Sequence, residues 1–144
     1  MDRNEITKLI RDSLMAVDAI KNAVKGNVYS SYISNDSKFP CITNHILGGT
    51  QGVSPYNSDV PVQCKIWTSN DKNPSGFLYG TYALIKEEFF SEDANPYLEN
   101  DILNLHINLG EGSALPSILQ EVYEGNIIYS LPFILKCKAV YLKT

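Results

Sequence analysis

The chain has 144 residues, 44% of them hydrophobic, 10% aromatic and 19% charged, the balance of one compact domain over 1–144 with no room for a second catalytic lobe. Twelve basic against sixteen acidic residues leave a net charge of −4, and no Lys/Arg cluster is dense enough to track a phosphate backbone, which argues against tight nucleic-acid binding. No run approaches the roughly 18 apolar residues of a membrane span, and Met1-Asp2-Arg3 leads directly into an amphipathic pattern, so the chain is expected to be made in the cytoplasm with no signal peptide and no membrane anchor.

Residues 2 to 25 predict a helix, with Ile6, Leu9, Ile10, Val17, Ile20 and Val24 on one arc at 100° per residue and only Ser13 interrupting it. Asp2 and Glu5 have capping-box spacing, and Gly26 suits the left-handed stop position. Val28 and Tyr29 form a short extended piece before a Ser/Asn/Asp-rich loop, because those side chains compete for local backbone hydrogen bonds. Pro40 resets the chain into a strand over Cys41 to Leu47, which places Cys41, Thr43, His45 and Leu47 on one face.

Thr50 to Asp59 carries no apolar period and reads as a long protruding connection. Val60 to Ser69 is the partner strand. Asn73-Pro74 starts a second helix, Asn as cap and Pro at the first helical position. Leu78, Tyr82, Ile85 and Phe89 make its apolar stripe, and Gly76, Gly80 and Ala83 a small-residue face suited to close backbone approach. Ile102 to Leu109 alternates as a half-buried strand, with His106 facing outward. Ser113 to Glu124 has Leu115, Ile118, Leu119, Val122 and Tyr123 at helical spacing and predicts a short helix; Ile127 to Leu142 is a long strand, or one bent near Pro132. This order predicts an α+β fold, a mainly antiparallel sheet of about four or five strands with two main helices packed on one face.

Chemistry is sparse in this pattern. There is no Gly-x-Ser-x-Gly elbow, and His45 and His106 are the only imidazoles. Cys41, Cys64 and Cys137 are odd in number and widely spaced inside strand-like runs, which suits buried free thiols; Cys41, His45 and Cys64 lack the short spacings of a zinc site, so no metal and no cofactor is expected. Gly48-Gly49-Thr50-Gln51-Gly52 lacks the Gly-Lys-Ser/Thr ending of a phosphate cradle. Glu87, Glu88, Glu92 and Asp93 form the densest acidic patch, a solvated face or a docking patch for a basic partner.

Several stretches together carry a family likeness. They are the opening helix ending in Gly26-Asn27-Val28-Tyr29, the loop closing on Phe39-Pro40, the run Val62-Gln63-Cys64-Lys65-Ile66-Trp67-Thr68-Ser69 leading into the helix that ends at Phe89-Phe90, and the closing strand Ile134-Leu135-Lys136-Cys137-Lys138-Ala139-Val140. In this order they resemble the tail-terminator, or tail-completion, family of long-tailed bacteriophages. The resemblance implies a non-enzymatic virion protein, assembled in the host cytoplasm, that forms a hexameric ring at the head-proximal end of the tail. Such a ring ends polymerisation of the major tail tube protein, meets the head completion or connector protein, and lets DNA pass through its lumen without specific binding. It also implies tube or neighbour contacts in the loop of Gly48, Gly49, Thr50, Gln51, Gly52, Pro55, Tyr56 and Asn57, and Trp67 packed under the second helix. The nearest alternative is another connector or neck subunit; the alternative from a different class is a small-ligand-binding or enzymatic α+β domain built on His45 or Glu87.

Overall fold

The computed structural model describes residues 4–34, 36–47, 57–69, 72–110 and 116–142, with side chains in the 57–69 segment from Val60 onward. The order is α1 (Asn4–Met15), α2 (Asp18–Ala23), β1 (Val28–Tyr29), β2 (Cys41–Ile46), β3 (Asn57–Thr68), α3 (Pro74–Phe90), β4 (Tyr97–Glu99), β5 (Leu103–Leu109), β6 (Leu119–Tyr123) and β7 (Asn126–Tyr141).

The opening apolar arc belongs to two helices, not one. Ser13 Oγ donates to the Leu9 carbonyl at 2.7 Å, a back-bond that bends helices, and Val17 takes an extended conformation (φ −95°, ψ 110°) between them. The break lets α2 turn so that Ile20 and Val24, like Ile6 and Ile10 of α1, are buried in one core. Gly26 adopts φ +76° and its N–H donates to the Lys21 carbonyl at 2.8 Å, closing α2 in the left-handed conformation that glycine takes without steric cost. In α3 the Asn73 side chain accepts from the Gly76 N–H at 3.1 Å, and Pro74 sits at the first helical position. Leu78, Tyr82 and Ile85 face the core, but a Cβ at Gly80 would meet nothing within 4 Å, so the small-residue face approaches no other backbone among the described residues.

The expected α+β arrangement is overturned. Among the described residues the protein is mostly β, a seven-stranded mixed sheet curled into a half-barrel, with three helices and 29% helical content. The path runs β1-β2-β3-β7-β5-β4, with β1-β2 parallel, the other pairs antiparallel, and β6 paired to β7 off the path. The curl follows from α1, which touches β1 and β2 at one end of the path and β4 and β5 at the other. The inner face carries Val62, Cys64 and Ile66 of β3, Leu103, Leu105 and Ile107 of β5, and Leu131, Phe133, Leu135, Cys137 and Ala139 of β7 in the same core as the helices. Fully burying each Leu or Ile among them contributes about 1.5–3 kcal/mol.

Two differences have local causes. Of the stretch expected to form a helix over Ser113 to Glu124, Ser113 to Leu115 lie outside the described residues, and Leu119 to Tyr123 form strand β6, joined to β7 by a two-residue turn in which Glu124 and Gly125 have φ 51° and 79°. That is the turn type that matches strand twist, and the supposed helical stripe buries little: Val122 is 73% exposed. Pro132 does not break β7, because residues 126–130 pair with β6 and 135–141 with β5; between these two pairings no strand partner lies beside Pro132 on that edge among the described residues, an edge-like site where a missing N–H is tolerated. Of the expected long connection, Asn57 to Asp59 belong to β3; the rest lies outside the described residues.

Candidate functional site

The candidate interface loop, Gly48, Gly49, Thr50, Gln51, Gly52, Pro55 and Tyr56, lies outside the described residues; Asn57 opens β3 opposite Val140. Glu87, Glu88, Glu92 and Asp93 are exposed at the C-terminal end of α3 and the turn after it, with no salt-bridge partner among the described residues. Cys41 and His45 project to the outer face of the sheet and Cys64 to the inner one, so the three do not converge; among the described residues no group of three or more His, Cys, Asp or Glu could hold a metal. For the same reason His45, on the outer face, and Glu87, on a helix of the inner face, share no cleft. All three cysteines are free and buried; burial pushes the thiols of Cys41 and Cys137 to about 12 and that of Cys64 upward as well.

A built arrangement does occur on the outer face, where register brings β2, β3, β7 and β6 together. Cys41 lies opposite Trp67, Thr43 opposite Lys65, His45 opposite Gln63, and Trp67 in turn opposite Ser130. Trp67 is not under α3: it forms a second core with Cys41 and Ile128 on the far side of the sheet, covered by Tyr29, Ile33, Phe39 and Tyr123. Alternation dictates this, since Ile66 faces the helices and its neighbour must face away. The indole N–H donates to Thr43 Oγ1 at 2.9 Å. Lys65 Nζ stands 5.1 Å from the Trp67 ring centroid and 3.9 Å from Glu121 Oε2, which accepts from Ser130 Oγ at 3.0 Å. His45 is buried under Tyr32, ring centroids 4.0 Å apart. Burial, and then the charge of Lys65, hold its imidazole below the ordinary histidine range. His106 faces outward on β5, as its alternation predicts, against Tyr97 and within 3.3 Å of Asn108.

A second feature was not legible in the sequence at all. Eight large hydrophobic side chains are exposed among the described residues, and seven of them gather at the two ends of β7. Val122 and Ile127 sit directly opposite each other on one face of the β6-β7 hairpin, and Leu119, opposite Ser130, lies on its other face. Tyr97, Ile102, Val140 and Leu142 sit at the other end, where the Leu142 N–H donates to the Ile102 carbonyl at 2.8 Å. Twelve residues of continuous strand lie between Ile127 and Val140, a span of roughly 40 Å at the rise of a β-strand. No helix among the described residues is long and apolar enough to cross a membrane.

Comparison with known proteins found no family model and no curated protein that matches the chain.

Proposed function

We propose that the chain is a structural subunit that joins copies of itself head to tail into a closed ring, acting as a tail terminator at the head-proximal end of a phage tail. The observation that carries the assembly is the pair of exposed apolar patches held at opposite ends of β7. A rigid strand keeps one from covering the other, so each needs a surface on another molecule, and contact between unlike patches is heterologous, the kind that closes into rings. The resemblance in the sequence supplies the setting: the tail tube protein on one side of the ring, the head connector on the other, and DNA passing through a lumen whose subunits carry net negative charge.

Val122→Asp and Leu142→Asp test this together. Sedimentation and negative-stain imaging should find rings for the wild type, alone or on isolated tail tubes, and monomers for each variant. Mixing the two variants should restore dimers through the one unaltered pair of patches. Wild-type protein that stays monomeric both alone and with tubes overturns the reading.

A further inference from the structure

Residues 30–34 and 36–40 lie across the outer face. Ile33 and Phe39 lie on the Cys41, Trp67 and Ile128 cluster, the Lys38 N–H donates to Tyr29 Oη at 3.0 Å, and Asn27 Nδ2 donates to the Pro40 carbonyl at 3.2 Å. Ser30 Oγ donates to the Thr7 carbonyl at 3.3 Å, and Phe39 meets Tyr123 edge-on with ring centroids 6.0 Å apart. Tyr32 is 68% exposed, and its ring lies tilted against His45. His45 itself is only 9% exposed, and its Nδ1 is sealed from solvent with no hydrogen-bond partner among the described residues.

We infer that residues 30–34 and 36–40 form a pH-released strap: neutral His45 seats Tyr32 and keeps the strap closed over Trp67, and protonated His45 opens it. An imidazolium donates from both ring nitrogens, and nothing described around His45 accepts from Nδ1. Each neighbouring element presents the wrong group. From β3 come Gln63 in the opposite register position and the cationic Lys65. From β6, the Glu121 carboxylate is engaged by Lys65 and Ser130. From β1, the Tyr29 carbonyl is taken by Asn44 Nδ2 at 3.2 Å. From the strap come the Tyr32 ring and the exposed Asp36 and Lys38. Attraction between an imidazolium and the Tyr32 ring is small where that ring is largely in water, whereas a buried charge with no partner is costly.

The direction of the pH effect follows from proton linkage. His45 binds its proton more weakly in the closed form than in an open one, where the ordinary value is 6.5. Closure is therefore complete above that value and is lost as pH falls from it through the lower value of the closed form.

Trp67 is the sole tryptophan and His45 one of two histidines, so the test is clean. Trp67 emission should shift to the red on acidification, with a midpoint below 6.5, while far-UV circular dichroism is unchanged. The shift should vanish in His45→Gln and persist in His106→Gln. In Tyr32→Ala, which removes an exposed side chain and leaves the core intact, the NMR titration of His45 should move up towards 6.5. Emission that stays flat until the protein unfolds, an acid shift that survives in His45→Gln, or an unmoved His45 titration in Tyr32→Ala overturns the inference.

Discussion

The outer face of the sheet has two halves built on the same long strands, β3 and β7, and they differ in almost every respect. At one end it carries Cys41, Thr43, His45, Trp67, Ile128 and Ser130, all buried, with Ile33, Phe39 and Tyr123 of the strap and the β6-β7 hairpin packed on the Trp67 cluster. At the other it carries Asn108, Lys136, Lys138 and Val140, all exposed, with nothing described above them. The strand pattern is the same in both, one residue in and one out. Whether an outward position is core or surface is decided by a cover that arrives from elsewhere in the chain, and the alternation within a strand carries no information about that cover.

Mutations should break the two halves very differently. Trp67→Ala, at the covered end, should cost about 3–5 kcal/mol, because it deletes a buried indole and leaves a void against Cys41 and Ile128; urea denaturation would show it as a lower midpoint with little change in slope. Thr43→Val is nearly isosteric but strands the indole N–H, whose acceptor lies at 2.9 Å in a dry site. Its expected cost is about 1–3 kcal/mol, and the double variant with Trp67→Phe should recover much of it, since the orphaned donor is then gone.

The same contrast explains what could be read in advance. The α3 start, the β2-β3 pair and the inward residues of β5 and β7 were legible because caps, proline and period are local signals. Two helices on an antiparallel sheet was the wrong sum of them. The β1 and β4 strands have two and three residues, too few to show a period. β6 has apolar residues spaced as in a helix, and its hairpin turn uses Glu124 where Asn or Asp would have signalled it. The parallel β1-β2 pair and the curl around α1 are non-local. Among site residues, the alternation of Cys41, Thr43 and His45 was readable, but that Tyr32 closes over His45 and that Lys65 reaches Glu121 depend on loop path and register. The two apolar ends of β7 have no sequence signature, because an exposed Val looks like a buried one.

Smaller effects sharpen the comparison. Lys65→Ala, at the covered end, removes a cation from the Trp67 ring and a partner from Glu121; both contacts are partly wet, so the expected loss is about 0.5–1 kcal/mol, shrinking as salt is added.

Lys138→Ala is the matching change at the bare end and should have the smallest effect. Lys138 is exposed on β7 opposite His106, and on the other side register sets it opposite Asp59. An exposed lysine in water loses little when truncated, because even a surface pair with an opposite charge contributes about 0–1 kcal/mol. The expected change is within about 0.5 kcal/mol, against the measurable loss at Lys65, which lies on the same face of the neighbouring strand β3, six residues from Asp59, the register partner of Lys138. The comparison has force because both are lysines pointing outward from central strands of one sheet. Equal losses at the two positions in parallel urea titrations would mean that the bare half is also covered, and the division of the outer face would then be wrong.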